Sequence, residues 1–320
     1  MPAMATGTFP AGTASASILF SMNYGHAGQT IASAFIVPYG NALVVMLEDG
    51  QAQILHLEEE KTVSFRLPFE FPFQENAVSV QPGRILFAEY FADENGDITL
   101  WQVLPGNEAA VVASISATDA FVTSLAFSPD GETLAVGFNV GEIRLYDTRD
   151  GASLHVIPAF HDFVESLAYS QDGRHIIADS FSFDPNTYVF DVESGEKLAT
   201  LCTESWEPGR VSFSLDGKLA AATDANGTHI FTTSDWRKTG VVIAGVWDGT
   251  FTCDGRGFMH ASGGGVDIYS LGDGLRVGTL NGGPFYCLAD GRTVAIDLDD
   301  EVRILTLRVV GGLDGVQPGH

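Results

Sequence analysis

Residues 122–157 read VTSLAFSPDGETLAVGFNVGEIRLYDTRDGASLHVI, four short apolar runs separated by turn signals. In the first run Leu125 and Phe127 alternate with small or polar residues, the period of a half-buried strand, and Asp130-Gly131 then turns the chain. A second run, 134–138, returns from that turn. A third, Ile143-Arg144-Leu145-Tyr146-Asp147, ends at Arg149-Asp150-Gly151, and a fourth, 154–157, closes an antiparallel meander.

The next stretch, VESLAYSQDGRHIIADSFSFDPNTYVFDVESGEKLATL over 164–201, repeats the plan. Its Asp172-Gly173 belongs to a series with Asp130-Gly131, Asp216-Gly217, Asp254-Gly255 and Asp290-Gly291, each between two apolar runs. A period of about 40 residues with four strands per unit is that of a β-propeller blade. Innermost strands are expected to start near Ala34, Ala77, Val122, Val164, Arg210, Val246 and Pro284, which makes seven blades. The last has only three runs, whereas Ile18-Leu19-Phe20-Ser21-Met22 is a strand without a blade. Placing that strand beside 302–307 covers an edge otherwise open to aggregation. The expected organisation is an extension over 1–17, one all-β seven-bladed propeller of four-stranded antiparallel blades over 18–308, and a tail over 309–320.

The pattern F-S-P-D-G, a strand, and then I-R-L-Y-D resembles the WD-repeat family, with Tyr146-Asp147 and Phe190-Asp191 in place of the Trp-Asp pair. The resemblance is best over 122–201 and weakens outward, where Phe231-Thr232 and Tyr269-Ser270 hold the same place. It implies a propeller that serves as a protein-interaction scaffold. Lactonase-type propellers share the F-S-P-D-G turn, so an enzyme of lactonase, lyase or cyclase type with its pocket at the channel mouth is the alternative.

The chain has 320 residues, 45% hydrophobic, with 36 glycines to interrupt them. No apolar run approaches the roughly 18 residues of a membrane helix. No Lys or Arg precedes the first apolar run, so a soluble, cytoplasmic protein is expected. With 41 acidic against 16 basic residues the net charge is −25, which repels nucleic-acid phosphates and anionic lipid and leaves cationic partners. Cys202, Cys253 and Cys287 are far apart and lack C-x-x-C spacing, so buried free thiols are expected.

In a four-stranded meander the first and third turns lie on one face, and the second turns and blade-to-blade links lie on the other. Sorted this way, Arg84, Arg149, Arg174, Lys218, Arg237 and Arg256 fall on the face of the Asp-Gly turns. The opposite face is rich in acids, among them Glu70, Asp119, Asp162, Asp184, Asp224 and Asp299, and has almost no basic residue. Interleaved aromatics include Phe69, Phe71, Phe73, Tyr90, Phe91, Phe160, Phe163, Phe181, Phe183 and Trp206. Acids beside rigid aromatic rings suit a basic or amphipathic peptide through charge steering and cation–π contact. The expected partner-binding set is Phe71, Phe73, Tyr90, Phe91, Phe160, His161, Asp162, Phe181, Asp184 and Trp206, with no nucleic acid or membrane partner and no cofactor.

His161, a serine at 180 or 182 and Asp184 have the residue types of a hydrolase triad, but no G-x-S-x-G turn accompanies them. In the WD-repeat family a His, a Ser or Thr, an Asp and the Trp form a structural hydrogen-bond network, which is the reading the resemblance implies for His161 and Asp184. Asp93-Glu94-Asn95-Gly96-Asp97 reads as a hairpin turn before a calcium loop. The run Asp297, Asp299, Asp300 and Glu301 reads as a solvated loop. His26, His161 and His260 come from separate parts of the ring and lack metal-ligand spacing; Gly263-Gly264-Gly265 has no following helix to make a phosphate loop.

Overall fold

The computed structural model describes residues 14–23, 31–36, 42–47, 51–56, 61–66, 75–81, 84–90, 97–104, 108–117, 119–180, 185–203, 210–246, 249–252, 254–262, 265–280, 285–287, 293–296 and 301–309, with described side chains chiefly between 64 and 280. These residues form strands in seven four-stranded antiparallel sheets and no helix. After β1 (Ala14–Asn23), blade 1 holds β2 (Ile31–Ile36), β3 (Ala42–Leu47), β4 (Gln51–His56) and β5 (Lys61–Arg66). Blade 2 holds β6 (Glu75–Gln81), β7 (Arg84–Tyr90), β8 (Asp97–Val103) and β9 (Ala109–Ser116). Blade 3 holds β10 (Val122–Phe127), β11 (Thr133–Phe138), β12 (Glu142–Asp147) and β13 (Ser153–Pro158). Blade 4 holds β14 (Ser166–Tyr169), β15 (His175–Asp179), β16 (Asn186–Asp191) and β17 (Lys197–Thr203). Blade 5 holds β18 (Ser212–Phe213), β19 (Leu219–Asp224), β20 (Gly227–Thr232) and β21 (Lys238–Ala244). Blade 6 holds β22 (Thr250–Phe251), β23 (Gly257–Ser262), β24 (Gly265–Ser270) and β25 (Arg276–Leu280). Blade 7 takes β26 (Phe285–Cys287), β27 (Thr293–Ile296) and β28 (Glu301–Val309), and its fourth strand is β1.

The seven-bladed, all-β architecture is therefore the one expected. β1 runs antiparallel to β28 from Ala14↔Val309 to Asn23↔Glu301, with a bulge between Ile18 and Phe20. It begins four residues before the apolar run that marked it, because pairing to β28 recruits the small residues Ala14 to Ser17 as well.

The repeated Asp-Gly turns have a shared chemistry. Asp130 Oδ1 accepts hydrogen bonds from Ser128 Oγ (2.6 Å) and the Glu132 amide (3.0 Å), while Ser128 Oγ accepts from the Thr133 amide (3.0 Å). Ser170 with Asp172, Ser214 with Asp216 and Thr252 with Asp254 repeat the arrangement. Such side-chain bonds satisfy amides that a tight turn leaves without strand partners.

Apolar side chains fill the seams between blades. Leu86, Ala88, Tyr90, Ile98 and Leu100 of blade 2 meet Leu134, Val136, Phe138 and Tyr146 of blade 3. Ala135, Ile143 and Leu145 of blade 3 meet Ile176, Ala178 and Phe190 of blade 4. The residue at the family's Trp position, Tyr146 or Phe190, thus faces the preceding blade.

Candidate functional site

The best described part of the acidic, aromatic face surrounds one turn, Asn139 to Gly141, between β11 and β12. Asn139 donates its amide to Phe121 O (2.9 Å) and accepts the Phe121 amide on its own Oδ1 (2.8 Å). On the other side Gly141 O accepts the amides of Ala159 (3.0 Å) and Phe160 (2.9 Å), and Phe138 O accepts that of Val164 (3.1 Å). The turn is thereby fixed to the start of its own blade and to the link entering blade 4.

Three apolar side chains stand out around this turn. Phe121 is 64% exposed, Val140 48% and Phe163 39%. Phe121 and Phe163 hold the same place in their repeats, immediately before Val122 and Val164, so the propeller's symmetry presents both rings on one face.

The link into blade 4 alternates between inside and outside. Phe160 is buried, His161 exposed, Asp162 buried and Phe163 exposed. The Phe160 ring stacks on Tyr188 (5.1 Å between centroids, planes 11° apart) and meets the edge of Phe190 at 6.5 Å. Its expected role as a contact residue is corrected here, since the ring is consumed by the seam. Tyr90 is corrected likewise, being buried in the core between blades 2 and 3. Asp162 is buried too, leaving His161 as the member of the expected set that is exposed among the described residues. Phe71, Phe73, Phe91, Phe181, Asp184 and Trp206 lie outside the described residues.

Charge on this face is more organised than a list of acids suggests. Arg144 of β12 donates from both terminal nitrogens to Asp119 (3.0 and 2.8 Å) and from Nε to Glu142 (2.8 Å), while its guanidinium lies 4.4 Å from the centre of the Phe138 ring. A bidentate pair of this kind is geometrically specific. It holds the Asp119 carboxyl below the usual carboxylate range. Arg144 therefore corrects the expectation of a face nearly without cations: it balances the acids nearest the apolar side chains. The Glu165 carboxyl is raised, chiefly by burial and then by neighbouring Asp162.

Of the triad types, Ser182 and Asp184 lie outside the described residues, and His161 and Ser180 are not brought together. Ser180 is fully buried and its hydroxyl has no hydrogen-bond partner among the described residues, while His161 points to solvent. Thr187 instead donates to Asp179 Oδ1 at 2.6 Å inside blade 4. Among the described residues no three His, Cys, Asp or Glu side chains gather as metal ligands, and of the three histidines considered for a metal His26 lies outside those residues. Cys202 is a buried free thiol, pushed up to about 12 by burial.

Residues 98–172 match the family model of the anaphase-promoting complex subunit 4 WD40 domain. The chain is similar to the Protein LST8 homolog of Drosophila melanogaster, 25% identical over 170 residues, or 50% of this chain and 53% of that protein. It is also similar to ciliary WD repeat-containing protein ctxp80 of Euplotoides octocarinatus, 30% identical over 132 residues, 38% of this chain and 17% of that one. SIR4-interacting protein SIF2 of Saccharomyces cerevisiae is 36% identical over 86 residues, 27% of this chain and 16% of its own length. The matched region covers about half, or less, of each of these relatives. With seven four-stranded blades, Ser/Thr-x-Asp-Gly turns in blades 3 to 6 and aromatic residues where the family has Trp, the chain is similar in fold and in its central repeats to the WD-repeat β-propellers.

Proposed function

We propose that this chain is a non-catalytic interaction module that seats an apolar segment of a partner protein on Phe121, Val140 and Phe163. The observation that carries the reading is the exposure of three large apolar side chains around a turn bonded on both sides. Clustered apolar exposure is where a soluble domain gains most from association, and a rigid frame lowers the ordering cost. WD-repeat relatives support a scaffold role, and the name of the yeast relative records an interaction with another protein.

Division of labour between charge and contact follows from the geometry. Asp119 and Glu142 are held by Arg144 and Asp162 is buried, so the nearby acids are committed within the fold. The net charge of −25 then acts at long range, favouring approach of a partner with basic residues flanking its apolar segment.

The test is capture by the double variant F121A/F163A against wild type, with L198A/L275A, exposed elsewhere on the molecule, as control. Loss of about tenfold or more in capture is expected for the first pair, within the range of interface hot spots, with an unchanged thermal midpoint. Equal capture by both double variants would withdraw the surface.

A further inference from the structure

Blade 2 contains a carboxyl group where blades 3, 4 and 5 are apolar. On β7 Phe87 pairs across to Trp101 of β8, and Glu89 follows two residues later on the same face. The corresponding residues are Val136 in blade 3, Ala178 in blade 4 and Ala222 in blade 5, all fully buried; in blade 6 the place is taken by His260.

Glu89 faces the seam with blade 1. Phe87, on its side of the strand, packs against Phe65 of β5 with ring centroids 5.3 Å apart, whereas Leu86, Ala88 and Tyr90 point the other way into the seam with blade 3. The Glu89 residue is 5% exposed. One oxygen accepts the indole N–H of Trp101 at 2.6 Å, and the other is buried with no hydrogen-bond partner among the described residues.

A buried oxygen without a partner is tolerable on a neutral acid and costly on a carboxylate, which concentrates charge on both oxygens. The ionisable residues carried by the surrounding strands are Glu75 on β6, Arg84 on β7, Asp97 on β8, and His56, Lys61 and Arg66 on β4 and β5 of blade 1. Arg84 is committed to Glu132 (3.3 Å) and Thr148 O (3.2 Å), and Asp97 accepts from Ser114 (3.2 Å). The two influences on the carboxyl are burial and the opposing Trp101 hydrogen bond; burial wins and pushes Glu89 up to about 7.

We propose that Glu89 is a protonation switch in the seam between blades 1 and 2, closing the seam when neutral and loosening it when ionised by drawing in water. The sign follows from linkage. A carboxyl that binds its proton more tightly in the folded than in the unfolded chain stabilises most at low pH, and that contribution is lost as pH rises from about 4.5 to about 7.

Urea midpoints of wild type and E89Q, measured from pH 5 to pH 8, test this. The wild-type midpoint should fall relative to that of E89Q across the window and run parallel above it, because the amide cannot ionise. Parallel curves throughout would overturn the switch. Should E89Q fail to fold, tryptophan emission of the native protein gives a second test. A titration with a midpoint near 7, absent in W101F, is expected, and emission that does not titrate, or titrates equally in W101F, overturns it.

Discussion

Replacing Gly141 by Ala is expected to lower the unfolding free energy by about 3 kcal/mol or more, from left-handed backbone strain plus overpacking. Gly141 has φ +81°, a region where a Cβ costs roughly 1–2 kcal/mol. A Cβ built there would lie 2.1 Å from Phe160 O, 2.6 Å from Phe160 C and 2.7 Å from Asp162 O. All three atoms are backbone, so no rotamer change relieves the contact. The link could retreat only by breaking the two amide bonds that Ala159 and Phe160 make to Gly141 O. Gly255 is the control, since its φ of +67° is similar but nothing lies within 4 Å of its Cβ position. G255A should therefore cost only the backbone strain, about 1 kcal/mol. Urea unfolding of the two variants separates the terms, and equal losses would show that the close approach at Gly141 carries no energy. Because the same turn holds Val140 and sets the path of Phe163, surviving G141A protein should also capture less partner.

The blade count was legible in the sequence because blades 3 to 6 repeat the same local chemistry at a period that the flanking apolar runs continue. Ser or Thr, then Asp-Gly, then an apolar run is visible as text, and the hydrogen bonds of the turn need all those residues. The strand that completes blade 7 was legible from the missing outer strand of the last repeat, although its ends depend on the distant pairs Ala14↔Val309 and Asn23↔Glu301 and not on local pattern.

The site was less legible. Aromatic residues in the links could be named, but not their phase. Whether Phe160 or Phe163 points outward is decided by Gly141 O accepting the amides of Ala159 and Phe160, a contact between residues some 20 positions apart. One signal was available, namely that Phe121-Val122 and Phe163-Val164 precede the same Ser-Leu-Ala in both repeats. Extending the comparison one residue upstream of Val122 finds Phe121. Arg144 was hidden for a different reason. It lies on a strand, outside the loops by which charges were sorted, yet its long side chain reaches Asp119.

Trp236 is expected to reverse the usual order of alanine and glycine. In the turns after the third strand of blades 3, 4 and 6 the left-handed residue is Gly151 (φ +74°), Gly195 (φ +70°) or Gly274 (φ +72°). Matching backbone bonds, Asp147 N to Ala152 O, Asp191 N to Glu196 O, Thr232 N to Arg237 O and Ser270 N to Leu275 O, place Trp236 at the same position in blade 5. Its φ is +57°, a conformation that bulky residues rarely adopt. The indole offsets that strain by meeting the edges of His175 (5.4 Å) and Phe213 (6.4 Å) and by covering the core shared by Ile177, Val189 and Phe231 between blades 4 and 5. W236A keeps a Cβ in the strained region and loses the indole, for a loss of about 2–3 kcal/mol, below the fully buried Trp→Ala range because Trp236 is half-buried. W236G loses the same packing but relieves the backbone, so it should be more stable than W236A by about 1 kcal/mol. W236F, which retains part of the ring contact, should lie between W236G and wild type. Urea midpoints of the three variants rank them, and a W236A protein at least as stable as W236G would mean that the turn relaxes away from its left-handed geometry once the indole no longer anchors it.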